Sequence, residues 1–520
     1  MELEEPQSTE STETEQPKIT DKKRLAICGG SLGRENKSMV RGQIVDVGIT
    51  DLMKAEGLWD LVTGLFAGQE KVITPFLDFS LAPVRKQILI IEIWDENENK
   101  KILESEEFRG DEDGFFSYEI TQKMKAGKYI FHVIFKGLDS YRQYTRDIAH
   151  LNSHEKSEIA RSIVGKGKLR ILSEKYQEFI TTSDIDQTYL ATDIETAKGK
   201  LSALFETPDQ KLALPGMPEF YRSLRKSTKD TPLCFISASP HFFRRTLFST
   251  IRRDKIETES LHLKYLEGTI KGVIDKVFHT LLNIDDFLQE GVTPAMERIK
   301  KFLGSSYQSL FDQLTYKLSI LLQDRIYQPK NAKEVLLGDN TESDYFIFSL
   351  YQLILAGTIE GDKLEEFLYH LNFLGRDAVT RDNAKKIRQL ADECIATHGK
   401  QNSVHLVLIN MTNMGPMVDE MWNNVISALP NGVDLTRVPN FKNYIPTEGA
   451  VGFAVILQSL GVLDFQDVID IATSMVGSWT GGRVVDENYL LSLTRILSVP
   501  ESAEKEKATL HEVIEKALRY

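Results

Sequence analysis

The chain has 520 residues, of which 41% are hydrophobic and 27% are charged, a globular composition long enough for about three domains. Its formal net charge of −13 argues against nucleic-acid binding, which relies on a positive surface. The three cysteines are far apart in the sequence, which argues against a disulfide framework or a zinc site.

Neither a targeting signal nor a membrane span is predicted. Residues 1–23 are rich in Glu, Ser, Thr and Gln with almost nothing apolar, so we predict a disordered acidic tail. The first residues show no secretory signal, and the longest apolar run, residues 451–463, is too short to span a bilayer. We therefore expect a cytoplasmic protein.

Residues 24–150 show the alternation of strand-like runs and turns that is typical of an antiparallel β-sandwich. Strand-like runs are separated by turn signals such as Asp111-Glu112-Asp113-Gly114, and they lie at residues 42–47, 88–94, 115–120 and 129–135. These runs contain no group of residues typical of an acid-base or metal site. We predict an accessory β-sandwich that docks, regulates or recruits, followed by a polar connector at residues 151–175.

The first candidate catalytic residues follow the apolar run at residues 179–183. They are Asp184, Asp186 and Thr188. Such a run predicts a buried parallel strand whose carboxyl end faces a ligand site. Alternation sends both aspartates to the same side, where they repel unless a cation or a shared proton relieves them. Mg²⁺ is the simplest such cation. Taken alone, the pattern also fits an ordinary Asp-rich turn.

Three further features follow in order. A second apolar strand, at residues 232–236, leads to Ser237, whose hydroxyl suits a phosphate oxygen. Lys317 lies on a helix-like segment, from which its ammonium group could neutralise both a carboxylate and a phosphate. A third strand ends in Gly338-Asp339, and Asp344 follows five residues later. Asp339 and Asp344 are therefore candidate metal ligands.

Asp-x-Asp-x-Thr, strand-Ser, Lys and Gly-Asp-x-x-x-x-Asp, in this order, resemble the haloacid dehalogenase superfamily of phosphatases. Within it, Leu-Pro-Gly-Met-Pro-Glu-Phe-Tyr at residues 214–221 and Ile-Ser-Ala-Ser-Pro at residues 236–240 look like the catalytic domain of the actin-patch-protein type of phosphatidate phosphatases. The resemblance covers residues 170–345. It departs from that family at Gln187, where Asp is usual, and in long insertions between the later motifs.

The resemblance implies an α/β fold. A Rossmann-like haloacid dehalogenase domain with a parallel sheet and helical insertions would occupy residues 170–415, after the β-sandwich. Beyond it, helical stretches that alternate with Gly-containing turns predict a helical region at residues 416–520. The implied activity is that of a phosphoric monoester hydrolase that uses Mg²⁺ and converts phosphatidate to diacylglycerol and phosphate.

The resemblance also implies roles for the site residues. Asp184 would attack phosphorus to form an aspartyl-phosphate, and Asp186 would protonate the leaving oxygen and then activate water. Ser237, Lys317 and Thr188 would form the phosphate-binding side of the site, with Thr188 shaping the loop. The Mg²⁺ ligands would be Asp184, the backbone carbonyl of Asp186, and Asp339, with Asp344 close behind.

Several alternatives stay open at this point. The substrate could instead be a soluble phosphate ester, or the chain could be a non-catalytic scaffold. Residues 241–255 mix phenylalanines with arginines, so they would either contact an anionic membrane peripherally or pack their aromatic rings on the sheet. Residues 261–313 have helical periodicity and would form a lid, a lipid-contacting element or additional core.

Overall fold

The computed structural model of the chain describes residues 24–46, 82–138, 162–191, 211–228, 230–240, 243–264, 313–341, 343–373, 377–412, 415–433, 444–447 and 449–475, with the single residues 508 and 512. The predicted acidic tail and most of the predicted insertion at residues 261–313 lie outside the described residues. So does nearly all of the chain beyond residue 475.

Two β-sheets that share one core form the N-terminal part. Their strands are β1 (Arg24–Cys28), β2 (Ser31–Arg34), β3 (Ser38–Asp46), β4 (Ala82–Pro83), β5 (Gln87–Asp95), β6 (Lys101–Glu104), β7 (Phe108–Arg109), β8 (Phe115–Ile120), β9 (Gly127–Leu138) and β10 (Ser162–Leu172). In one sheet, β3 pairs with β1, β4 and β8. The other sheet has the order β2-β10-β9-β5-β6, with β7 beside β5. Alternate residues of β5 point inward, and they meet Ile44 and Phe116 of the first sheet.

Strand β10 corrects the predicted boundary at residue 150. It lies within the predicted connector at residues 151–175, yet it pairs antiparallel with β9 and parallel with β2. The segment looks like a connector because Lys166, Lys168 and Arg170 alternate with Gly165, Gly167 and Leu169. Every second side chain between residues 166 and 170 is therefore polar, and the positions between them include Gly167.

The rest of the described chain is built on a second, wholly parallel sheet. Its strands and a short antiparallel pair are β11 (Phe179–Ser183), β12 (Leu233–Pro240), β13 (Ser260–Lys264), β14 (Lys333–Asp339), β15 (Asn372–Phe373), β16 (Asp377–Ala378), β17 (Val404–Asn410) and β18 (Tyr444–Thr447). The parallel order is β13-β12-β11-β14-β17-β18, and β15 pairs only with β16 among the described strands. The predicted strands ending near Asp184, Ser237 and Asp339 are confirmed.

Helices cover both faces of the parallel sheet. They are α1 (Met217–Ser227), α2 (Arg244–Arg253), α3 (Gln313–Tyr327), α4 (Asp344–Leu355), α5 (Gly361–His370), α6 (Arg381–His398), α7 (Val418–Ala428), α8 (Gly449–Ser459) and α9 (Phe465–Met475). Apolar side chains of α3, α4 and α6 share a core with one set of strand residues, and those of α1, α2, α8 and α9 share a core with the other set. The result is a three-layer α/β arrangement, as predicted at this coarser level.

The C-terminal part corrects the predicted boundary at residue 415. Strand β18 extends the parallel sheet by pairing with β17, and helix α8 is buried along nearly its whole length. A helix that is apolar all round needs cover on every side, which the sheet and α9 provide. The described C-terminal residues thus complete the parallel-sheet unit. No helix among the described residues is both long and apolar enough to cross a membrane.

Candidate active site

Polar side chains collect where the central parallel strands end. Strand β11 lies between β12 and β14, so three residues near the carboxyl ends of these strands lie at the same edge of the sheet: Asp184 just after β11, Ser237 in the second half of β12, and Asp339 at the end of β14. Most of the strand residues before them are buried, including the small polar residues Thr181, Thr182 and Ser183 of β11. The predicted grouping of these three residues is therefore present.

Three buried carboxylates face one another at this edge. Asp184 follows β11, Asp339 ends β14 and Asp344 opens α4, and one oxygen from each lies within 4.8 Å of the other two. Gly338 permits this approach, because a Cβ there would come within 2.8 Å of the Cβ and Oδ2 atoms of Asp344. Like charges at this separation repel strongly unless a cation or protons compensate them.

Lys317 reaches the carboxylates from α3. Its Nζ lies 2.7 Å from Asp184 Oδ1 and 2.5 Å from Asp344 Oδ1, and its side chain is fully buried. Burial raises the pKa of the Asp344 carboxyl, although the Lys317 ammonium opposes that shift. When all three carboxylates are ionised, the cluster with Lys317 carries an excess of two negative charges.

The donor set fits a hard divalent cation. Carboxylate oxygens are its preferred ligands, and the excess negative charge would be neutralised by it. Asp344 Oδ2 is buried and has no hydrogen-bond partner among the described residues. Asp184, Asp339 and Asp344 are therefore the side chains that could hold the metal. The buried cluster does not by itself select Mg²⁺ from other cations of this kind.

Asp186 lies apart from this carboxylate cluster and beside two serines. Its Oδ2 accepts hydrogen bonds from Ser237 Oγ and Ser239 Oγ, each at 3.0 Å. The amide of Ser239 in turn donates to Ser237 Oγ at 3.0 Å. The two aspartates of the Asp-x-Asp pattern thus have different environments, one beside Lys317 and one beside hydroxyl groups.

Thr188 closes the loop that carries both aspartates. Its side chain is fully buried, and its Oγ1 has no hydrogen-bond partner among the described residues. The preceding Gln187 has a φ of +57°, and its amide donates to the carbonyl of Leu190 at 2.8 Å. The loop therefore folds back on itself within a few residues, and Thr188 lies inside the turn.

Sequence reasoning missed Ser239 and Tyr221. Ser239 belongs to the Ile-Ser-Ala-Ser-Pro motif at residues 236–240, but no local pattern shows that its hydroxyl donates to the same carboxylate, Asp186, as that of Ser237. Tyr221 lies on α1, and its hydroxyl is 2.6 Å from Ser183 Oγ, which donates to the carbonyl of Asp184 at 2.8 Å. The position of Tyr221 on an apolar helix face is the sequence feature that could have indicated its role, because a buried phenol needs a polar partner.

Helix α2 matches neither prediction for residues 241–255 completely. Phe243 is buried, whereas Phe248 is 42% exposed. Arg244 is also buried, and it donates to the carbonyls of Cys28 at 2.7 Å and Leu261 at 3.0 Å. Phe243 thus packs inward as one alternative predicted, but Arg244 joins the N-terminal sheets to β13.

One family model matches the part of the chain that carries Asp184 and Asp186. The family model for the catalytic domain of phosphatidate phosphatase APP1 matches residues 179–283. The match begins at the first residue of β11 and includes Asp184, Asp186, Ser237 and Ser239. Lys317, Asp339 and Asp344 lie beyond its end. No protein matches the chain in the comparison with curated proteins.

Two of the solved structures that match this chain are only remotely similar to it. A glycosyl hydrolase family 2 member from Bacteroides cellulosilyticus DSM 14838 is 9% identical, with a TM-score of 0.23, over 82% of this chain and 41% of that chain. A carbohydrate acetylesterase from Xanthomonas citri is 8% identical, with a TM-score of 0.19, over 78% of this chain and 73% of that chain. The chain thus spans about two fifths of the glycosyl hydrolase. Similarity at this level carries no argument about fold or activity.

The matched model describes the APP1 catalytic domain and not the haloacid dehalogenase superfamily, so the wider relationship stays a prediction. Residues 179–283 resemble the catalytic domain of the APP1-type phosphatidate phosphatases, which are phosphoric monoester hydrolases.

Proposed function

We propose that this protein is a Mg²⁺-dependent phosphatase that hydrolyses phosphatidate to diacylglycerol and phosphate through an aspartyl-phosphate on Asp184. The observation that carries the proposal is the convergence of Asp184, Asp339, Asp344 and Lys317 at one buried sheet edge. The family match supports it, because the match begins at the strand that leads to Asp184. The three-layer architecture supports a haloacid dehalogenase-like fold for the catalytic unit.

The catalytic unit in this proposal runs from β11 to α9. The N-terminal sheets, including β10, are the accessory part. This division keeps the predicted order of domains and moves their borders to positions that agree with the strand pairing.

In the first step, Asp184 acts as the nucleophile. One of its carboxylate oxygens forms a bond to phosphorus, and the bond between phosphorus and the glycerol oxygen breaks. Asp186 gives its proton to that leaving oxygen. Ser237 and Lys317 donate to the phosphoryl oxygens, which positions the group and compensates its charge. When bound, Mg²⁺ held by Asp184, Asp339, Asp344 and the backbone carbonyl of Asp186 would supply further positive charge at these oxygens.

In the second step, water replaces Asp184 on phosphorus. Asp186 accepts a proton from that water, a water oxygen forms the new bond to phosphorus, and the Asp184 carboxylate leaves. The different surroundings of the two aspartates support this division of labour. Asp184 lies beside an ammonium group, whereas Asp186 lies beside two hydroxyl groups.

We also propose peripheral contact with a membrane, where phosphatidate resides. The exposed side chains of Phe248 and Arg252 on α2 support this contact, since aromatic and cationic groups suit an anionic interface. A cytoplasmic location and the absence of nucleic-acid binding belong to the same proposal, the latter supported by the net charge of −13.

The decisive experiment measures phosphate release from phosphatidate in mixed micelles, with Mg²⁺ and with a chelator. Wild type should release phosphate only with the metal, and Asp184→Asn should lose nearly all activity. Asp382→Asn, which changes an exposed aspartate in the first turn of α6, is the matched control and should behave as wild type. Metal-dependent turnover of small phosphate esters without lipid turnover would replace the substrate but keep the mechanism. Inactivity on both would overturn the proposed function in favour of a scaffold.

A further inference from the structure

The loop that carries Asp184 and Asp186 has a backbone conformation that needs support. Gln187 lies in the left-handed region at a φ of +57°. Outside glycine, this conformation is favoured mainly by Asn and Asp, and it persists in other residues when their surroundings hold it. A group that binds the backbone at Gln187 would therefore fix the positions of the aspartates beside it.

Asn410 supplies such a group. It ends β17, and its side chain is only 1% exposed. Its Nδ2 donates to the carbonyl of Gln187 at 2.7 Å, and its Oδ1 accepts from the amide of Gly449, at the start of α8, at 2.8 Å. One planar carboxamide thus provides both a donor and an acceptor in opposite directions.

Asn410 also contacts the second acidic loop of the site. It pairs with Asp339 in the register between β14 and β17, and its carbonyl accepts from the amide of Asn340 at 3.2 Å. A single residue therefore joins the loop of Asp184 and Asp186, the segment after Asp339 and the start of α8. These parts are distant in the sequence and carry three of the four carboxylates of the site.

We propose that Asn410 is a positioning residue that holds the Asp184–Thr188 loop in register with the Asp339 loop. Its effect on turnover rests on the proposed function, whereas its effect on the loop does not. Asn410 acts through the backbone of Gln187, so losing it should impair the alignment of the nucleophile more than substrate binding.

Two variants separate the contacts of Asn410. Asn410→Ala removes both side-chain hydrogen bonds. Asn410→Asp keeps the size of the side chain and an acceptor for Gly449, but it loses the donor to Gln187. This second variant replaces Asn410→Ala in the experiments if the alanine variant does not fold. Asn402→Ala is the matched control, because Asn402 lies just before the other end of β17 and also bonds a backbone amide, that of Val404.

The first measurement is amide hydrogen exchange, by mass spectrometry, of peptides that cover residues 183–191 in the full-length chain. Exchange there should become about fivefold faster in both Asn410 variants, the effect of losing one hydrogen bond, and should not change in Asn402→Ala. Unchanged exchange in a folded Asn410 variant would overturn the proposal.

The second measurement is steady-state turnover of the phosphate ester that the wild type hydrolyses. In the Asn410 variants, kcat should fall by about 10- to 100-fold while KM changes by less than about threefold. Faster exchange with an unchanged kcat would reject a positioning role. If the wild type hydrolyses no phosphate ester, the proposed function fails, and the exchange data alone decide whether Asn410 holds the loop.

Discussion

Lys317 determines the charge balance of the carboxylate cluster. Its buried ammonium contacts both Asp184 and Asp344, so removing it would leave these carboxylates without that compensation. A divalent cation and Lys317 act on the same negative charge. The stability of the protein and its response to metal should therefore change together when Lys317 is replaced.

We predict that Lys317→Met lowers the free energy of unfolding of the metal-free protein by about 3 kcal/mol or more, because a buried ion pair loses one partner. Mg²⁺ should then raise the Tm of this variant more than that of wild type, since the site is more negative. Thermal unfolding with Mg²⁺ and with chelator tests both statements. Lys330→Met changes an exposed lysine beyond the end of α3 and is the control. An equal Mg²⁺ effect on Lys317→Met and wild type would contradict this account of the cluster.

At the scale of elements, Gly338 determines how closely α4 approaches β14. A Cβ at this position would lie 2.8 Å from Asp344 at the start of α4 and 2.8 Å from the ring of Phe348 one turn later. Gly338→Ala should therefore displace the start of α4, lower stability by about 1 to 3 kcal/mol and weaken Mg²⁺ binding. Urea unfolding and calorimetric titration with Mg²⁺ measure the two effects.

Gly127→Ala in β9 is the control for Gly338. A Cβ at Gly127 would make only ordinary contacts, the nearest at 3.7 Å, with the ring of Tyr129. It should leave Mg²⁺ binding unchanged. Wild-type metal affinity in Gly338→Ala would show that the approach of α4 to β14 does not control the carboxylate cluster.

The contact between α6 and α3 contains a pH-sensitive group. His398 is buried at the end of α6, and its Nε2 lies 2.8 Å from the carbonyl of Arg325 on α3. Burial, together with the charge of the Arg325 guanidinium, lowers the pKa of His398 from 6.5 to about 4. The folded state therefore resists protonation of this imidazole.

Because the pKa of His398 is lower in the folded state, the unfolded state binds the additional proton between pH 6.5 and about 4. We expect the free energy of unfolding to fall by about 1 to 3 kcal/mol over this range. His398→Gln, whose amide can still donate to Arg325, should reduce the slope. Exposed His370→Gln on α5 should not. Urea unfolding at a series of pH values provides the comparison, and equal slopes for wild type and His398→Gln would refute the assignment.

At the scale of the whole molecule, polar contacts join the N-terminal sheets to the parallel-sheet unit. Arg170 of β10 contacts Glu259 at 2.9 Å, just before β13. Arg41 of β3 contacts Asp324 of α3, which also lies 2.9 Å from His262 of β13. These contacts cross between parts that the sequence presents as separate domains.

Asp324 is the centre of one of these contacts. Burial opposes its ionisation, but the charges of His262 and Arg41 outweigh burial and lower the pKa of the Asp324 carboxyl to about 2. Asp324→Asn should reduce the free energy of unfolding at neutral pH by about 2 to 4 kcal/mol, because Arg41 and His262 lose their anionic partner. Chemical unfolding followed by circular dichroism measures the loss.

The surface pair of Arg388 and Asp392 on α6, at 3.3 Å, provides the comparison. Asp392→Asn should cost less than about 1 kcal/mol, as exposed pairs do. Equal losses in Asp324→Asn and Asp392→Asn would mean that the contact between the two parts adds little to stability.

Much of the parallel sheet could be predicted from the sequence. Strands β12, β14 and β17 contain runs of apolar residues, because both of their faces are buried under helices, whereas β11 has two apolar residues followed by Thr181, Thr182 and Ser183. Acidic and hydroxyl residues near the carboxyl ends of these strands mark the edge of the sheet, which is why Asp184, Ser237 and Asp339 could be grouped. Strands β10 and β18 lack this signal, since one carries alternating lysines and the other is short and contains Pro446.

By itself, the sequence determined which strands end in polar residues, in which order they follow one another along the chain, and which residue types are available at the site. All of these follow from local patterns. Only the tertiary structure decided which atoms meet. It places Lys317 between Asp184 and Asp344, turns Asp186 toward Ser237 and Ser239, and brings Asn410 to the loop of Gln187. These contacts join segments that are far apart in the chain, so they depend on how the helices and strands pack together and not on any local pattern.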